Sequence, residues 1–366
     1  MALRATRVEY FLVHQHMRPG TVNGPEPEYR ETRWDEVPKL LLRLHTDGGL
    51  VGMGETPRGV PEEALQRGAQ AILGQDLLAL DLARLPVEGG GAYKALELAV
   101  FDAVGKARGK RVVDLLGGPV RERVEVDWWS GRRSPQDLAR WASEGRAQGF
   151  HGMKIKCKLE DPMVERMEAV KAAVPDMPVT VDPNTRFYTR AAAADLARCL
   201  GAVGNVAVFE DPIPKEDFDE YARLRQEMQG TGIPLALHLG RADDLRRAID
   251  GGCIDVVNAS PLSMVTFVEM AAMAEAAGFP CWHGSGNDCG PMDLAYVHAC
   301  AAAPGCTLPS DIMGNRLHVE HFLTAPIAFD GGWALLPAGP GLGGELDLAA
   351  VERQVIGRGE VTARTI

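Results

Sequence analysis

Residues 179–238 read VTVDPNTRFYTRAAAADLARCLGAVGNVAVFEDPIPKEDFDEYARLRQEMQGTGIPLALH. Three short apolar runs stand out: Val179 to Val181, Val206 to Phe209 and Leu235 to Leu237. A helix-sized amphipathic stretch separates each from the next, and each closes on a polar residue, Asp182, Glu210 and His238. The closing residues lie 28 positions apart, and 28 apart again. Strand, helix and parallel strand form the repeat of an α/β layer, so one repeat separates each closing residue from the next.

The same rhythm extends in both directions. Upstream lie Val124-Glu125-Val126 and Met153-Lys154-Ile155-Lys156; downstream lie Ile254 to Val257, Pro280-Cys281-Trp282 and Cys306-Thr307-Leu308. Eight runs with helices between consecutive pairs predict an α/β fold, a (β/α)8 TIM-like barrel. Before it, Thr6 to Val13 and Lys39 to His45 read as strands. Asp47-Gly48-Gly49 reads as a turn and Leu50 to Glu55 as the return strand of a hairpin. A Pro/Gly-rich loop, His14 to Arg33, lies between the first two strands and carries His14, His16, Arg18, Arg30 and Arg33, followed by Trp34. Tyr93 to Ala107 has helical spacing. The Gly/Pro-rich end of the chain reads as a segment returning to the first domain. The expected domains are an α+β cap over 1–120, a barrel over 121–319, and a segment over 320–366 that rejoins the cap.

The chain has 366 residues, 46% hydrophobic and 24% charged, which are ordinary globular values and exclude wholesale disorder. A net charge of -11 argues against nucleic acid and anionic membranes, since both reward Lys/Arg excess. No apolar run reaches membrane-spanning length, and Met1 to Arg7 has no secretory apolar core. The expectation is a cytoplasmic protein. The seven cysteines lack metal-finger spacing and read as buried, reduced thiols.

In a barrel, chemistry sits at the C-terminal ends of the strands. Asp182, Glu210 and His238 therefore stand side by side on adjacent strands. Two acids and a histidine suit a hard divalent cation such as Mg2+, and Mn2+ tolerates the imidazole better. Each acid alone would read as a helix cap; three in phase read as ligands. Lys154 and Lys156, two apart on a strand, point to one side. A lysine beside a second cation and partly desolvated becomes a base at neutral pH. Further strand-end residues are Asn184, Asn258, Ser260, His283 and Asp311. Trp128 and Trp129 read as core.

Several motifs resemble the enolase superfamily in its muconate-lactonizing and mandelate-racemase branches, over nearly the whole chain. They are Ala95 to Lys106 followed by Leu115-Leu116-Gly117-Gly118, Lys154-Ile155-Lys156, Val181-Asp182-Pro183-Asn184, Phe209-Glu210-Asp211-Pro212 and Pro340-Gly341-Leu342-Gly343. The resemblance implies a modified (β/α)7β barrel under an α+β cap. It also implies a small-molecule carboxylate substrate bound to Mg2+ and an enediolate formed by removal of the proton next to the carboxylate. Lys156 corresponds to the base. Lys154 would bind the carboxylate and depress the pKa of Lys156.

The sequence departs from the family at three strand ends. His238 replaces the usual third acid, so Asp182, Glu210 and His238 are the expected metal ligands. Ser260 replaces the second lysine of epimerases. His283 has no acidic partner on the sixth strand and is assigned as general acid. Asn184, Asp288, Arg18, His16 and Ser260 are assigned to substrate binding. The expected reaction is dehydration of an acid sugar. The alternatives are a racemase or epimerase of an amino acid, dipeptide or hydroxyproline-like substrate, and a catalytically inactive ligand-binding barrel. The family also implies a homo-oligomer, dimer or octamer.

Overall fold

The computed structural model describes residues 2–30, 36–185 and 188–363. Arg33 and Trp34 of the cationic loop lie outside the described residues. In chain order the strands are β1 (Ala5–His16), β2 (Glu36–Thr46), β3 (Val51–Glu55), β4 (Arg123–Glu125), β5 (Trp128–Ser130), β6 (Met153–Lys156) and β7 (Val179–Asp182). There follow β8 (Val206–Glu210), β9 (Leu235–Leu239), β10 (Val256–Ala259), β11 (Cys281–His283), β12 (Phe329–Asp330), β13 (Trp333–Leu335) and β14 (Val355–Thr362).

Seven parallel strands, β5 to β11, pair in sequence order. Helices run between consecutive strands, as the apolar rhythm requires. The eighth run, Cys306-Thr307-Leu308, forms no ladder. Single parallel bridges tie this stretch on one side to β11, through Cys281↔Cys306, and on the other to the link between β4 and β5, through Val126↔Ser310. The first run is shifted from expectation. Arg123–Glu125 pairs antiparallel with β13 in a separate three-stranded sheet, and the first parallel strand begins at Trp128. Both segments alternate or run apolar, so periodicity alone could not separate them.

The antiparallel sheet has the order β14-β1-β2-β3. The expected hairpin is present, and Gly49 takes φ +78° in its turn. The C-terminal strand returns to pair with β1. β1 extends to His16, so His14 and His16 lie in a strand rather than in the loop as expected. The helix Gly91–Arg108 packs closely on β3: a Cβ at Gly52 would lie 2.0 Å from the carbonyl oxygen of Ala99, and one at Gly54 2.1 Å from that of Ala95. Glycine there is a condition of the packing. The same helix reaches the barrel through Glu97, which accepts from Ser263 Oγ at 2.6 Å and Met264 N at 2.9 Å.

Six cysteines are buried as expected, whereas Cys199 is exposed; none is in a disulfide. Among the described residues no helix is long and apolar enough to cross a membrane.

Candidate active site

The C-terminal ends of β6, β7 and β9 line a cavity of about 300 Å3, while Glu210, at the end of β8, is fully buried and is not among the lining residues. Parallel register sets Lys156 beside Asp182. Pleating sends Lys154 and Lys156 to the same side, toward the barrel axis. The Lys154 ammonium is 2.7 Å from Glu210 Oε2, 2.7 Å from Asp311 Oδ2 and 3.7 Å from Asp182 Oδ2. The Lys156 ammonium pairs with Asp182 Oδ2, and its side chain remains partly open to the cavity. Asn184, at φ +54°, turns back on the strand end; its backbone N–H donates to Asp182 Oδ1 at 2.7 Å. Its Nδ2 donates to both oxygens of Asp182, at 3.0 Å each.

Burial opposes ionisation of Asp182, but Lys156, Lys154 and the Asn184 N–H outweigh it and hold the carboxyl down at about 2. Glu210 is pushed up to about 8 by burial and by the Asp182 charge, against Lys154. Burial opposes the charge on Lys154 as well, but Asp311, Glu210 and Asp182 raise its pKa well above the ordinary lysine value. The half-buried His238 ring is kept neutral by desolvation and by the Lys215 and Lys154 ammoniums.

A cation fits this donor set. Glu210 Oε2 is buried without a hydrogen-bond partner among the described residues, although Lys154 stands close. His238 Nδ1 lies 3.7 Å from Glu210 Oε1. Ligand atoms of Glu210, Asp211 and His238 lie within 4.8 Å of one another. Asp211, however, is already engaged: Oδ1 accepts the His238 N–H at 2.9 Å and Oδ2 the Lys215 ammonium at 2.9 Å. Asp182 lines the cavity and Asp211 does not.

The other expected residues divide. Asn184 lines the cavity. Asp288 is buried outside it, where it accepts from Lys39 Nζ at 2.5 Å, Ser285 Oγ at 2.9 Å, Gly286 N at 2.8 Å and Tyr296 Oη at 2.8 Å. It shapes the turn Ser285-Gly286-Asn287, and that turn does line the cavity. His283 is buried between Phe267 and Tyr296, and its Nδ1 meets the Gly284 carbonyl at 2.5 Å. Burial and Lys94 push its pKa down to about 3, so it carries no acidic proton to deliver at neutral pH. Arg18 donates to the His318 carbonyl at 2.6 Å and borders a different cavity. His16 and Ser260 are not among the residues lining the cavity at the strand ends.

Among the lining residues not assigned from sequence are Arg58, Trp129 and Asp311. Arg58 enters from the turn after β3; its signal was the polar Thr56-Pro57-Arg58-Gly59 following a buried strand. Trp129 was read as core; it is buried in the core as expected and also forms cavity wall. Asp311 was visible as a strand-end acid, but only its pairing with Lys154 gives it a role.

The family model described as "Enolase C-terminal domain-like" matches residues 137–350. An N-succinylamino acid racemase of Thermus thermophilus is 33% identical over 338 residues, covering 86% of this chain and 89% of that protein. Muconate cycloisomerase 1 of Rhodococcus opacus is 27% identical over 355 residues, covering 89% and 93%. The crystal structure of the N-succinyl Arg/Lys racemase of Bacillus cereus superposes with a TM-score of 0.84 at 22% identity, covering 98% of this chain and 100% of that one.

Proposed function

The chain belongs to the enolase superfamily, and from that premise we propose that it uses Lys156 as a single base to remove the proton α to a substrate carboxylate. Elimination of a β-hydroxyl then completes the dehydration of an acid sugar. The carrying observation is the asymmetry of the cavity: Lys154 and Lys156 line one side, while β10 is followed by Ser260, outside the lining. Serine is not a usable base, so a second proton transfer from the far face has no donor there. A one-base site favours elimination over two-base racemisation.

In this reading Asp182, Glu210 and His238 hold Mg2+, with Mn2+ as a substitute. When bound, the cation supplies positive charge to the substrate carboxylate as its α-carbon loses a proton. Lys154, fixed by three carboxylates, keeps its positive charge beside the same carboxylate. Asn184 orients Asp182. Arg58 offers a guanidinium to the far end of the substrate, in keeping with residues 1–120 and 320–366 acting as a cap on the barrel of 121–319. The buried, neutral His283 does not support its expected role as general acid, so the departing hydroxyl takes its proton from Lys156 or from solvent.

The second reading is racemisation, favoured by the 33% identity to the N-succinylamino acid racemase. A panel of acid sugars and N-acylated amino acids, incubated with Mg2+ in heavy water, separates the two. Elimination gives a 2-keto acid. Racemisation gives the inverted, α-deuterated starting material, and that result would overturn the first reading.

A further inference from the structure

β1 carries a polar side chain that the catalytic reading does not use. Phe11 and Val13 face the barrel-side core, and Gln15 continues that face, 0% exposed. Neither Oε1 nor Nε2 of Gln15 has a hydrogen-bond partner among the described residues. A buried amide with both ends unmatched is uncommon, because each such group pays for its desolvation.

A second unmatched group lies on the same face. Met17 and His318 form an antiparallel bridge, flanked by Arg18 N to Leu317 O at 2.7 Å and Val319 N to His16 O at 2.9 Å. The side chains of such a pair share a face, and Gln15, two residues before Met17, is the diagonal neighbour of His318. His318 is also 0% exposed. Its Nδ1 meets the Gly314 carbonyl at 2.7 Å. A carbonyl only accepts, so Nδ1 carries the proton and Nε2 presents a lone pair. Nε2 has no partner among the described residues. Burial and the nearby Lys39 ammonium push the ring down to about 3, which keeps that lone pair free at neutral pH. Gly314 and Leu317, on the chain leading to His318, are part of the catalytic cavity wall.

We propose that Gln15 and His318 form a buried subsite for one neutral hydroxyl-bearing group. The O–H donates to His318 Nε2, and its oxygen accepts from Gln15 Nε2. An anion is disfavoured, because the imidazole lone pair would face it. The guest has two sources of the same chemistry, an ordered water or a hydroxyl of a polyhydroxy acid in the adjoining cavity. The subsite does not depend on which reaction the enzyme runs.

Crystals grown without polyols, with and without D-gluconate, decide it. Density within about 3 Å of both His318 Nε2 and the Gln15 amide is expected. Density for water in both crystals assigns the guest as water. Its replacement by a gluconate hydroxyl assigns the site to substrate. Absence of density, or direct contact between Gln15 and His318, overturns the proposal. Melting of Gln15→Leu gives an independent sign. With a guest present, the variant strands it and melts several degrees lower. Without one, the substitution relieves an unsatisfied amide, and an unchanged or higher melting temperature counts against the subsite. If the variant does not fold, the density decides.

Discussion

Lys154→Met is the most informative single perturbation of the charge arrangement. The ammonium lies 2.7 Å from both Glu210 and Asp311 and 3.7 Å from Asp182, with all four side chains at most 10% exposed. Removing one partner from a buried ion pair costs about 3–5 kcal/mol, because the remaining charges keep their desolvation penalty. Glu210, pushed up to about 8, is already mostly protonated at neutral pH and adds little to the loss. Asp182, held at about 2 partly by Lys154, stays charged. The expected loss in EDTA at neutral pH is therefore near the lower end, about 3 kcal/mol. A divalent cation at about a hundredfold its dissociation constant contributes about 2.7 kcal/mol to any state that binds it. Excess Mg2+ should thus raise wild type and variant alike and bring the variant close to the stability of wild type in EDTA. Denaturant unfolding of wild type and variant, with EDTA and with excess Mg2+, measures both quantities. A variant as stable as wild type in EDTA would refute the reasoning, since Lys154 would then not be the counter-charge of the cluster.

Other consequences follow from individual contacts. Glu97 is pushed up to about 7 by burial, so the folded chain binds more protons than the unfolded one between its ordinary value of 4.5 and 7, and stability falls as pH rises through that window. Glu97→Gln should flatten this slope, by about 3 kcal/mol across the window, in paired unfolding curves. Gly54→Ala would drive a Cβ to 2.1 Å from the Ala95 carbonyl oxygen, and a loss of about 3 kcal/mol or failure to fold is expected on thermal melting. A thiol reagent should modify Cys199 quickly in the native protein and the six buried cysteines only after denaturant; rapid native labelling of several would contradict the packing.

The barrel was legible because its signal is repetitive: apolar runs closing on polar residues at a constant spacing survive errors at any single strand. The seams were less legible. Arg123–Glu125 and Trp128–Ser130 are both short and partly apolar, and which one joins the parallel sheet depends on β13, more than 200 residues away in sequence. Within the site, Lys154, Lys156, Asp182 and Asn184 could be placed from strand phase alone, because pleating dictates their direction. Asp288 could not. It lies near the site in sequence, yet Lys39 and Tyr296 draw its carboxylate away from the cavity. His283 likewise closes a strand, but Phe267 and Tyr296 enclose its ring. Arg58 comes from a loop of the N-terminal sheet, with no periodicity to announce it.

The central claim is that Lys156 removes the α-proton. Proton NMR of a turned-over acid sugar or its slow analogue in heavy water, with Mg2+, reads that step directly, apart from any later elimination. Loss of the α-proton signal is expected with wild type, and no loss above the uncatalysed rate with Lys156→Ala that remains folded. Exchange retained by Lys156→Ala would contradict the account.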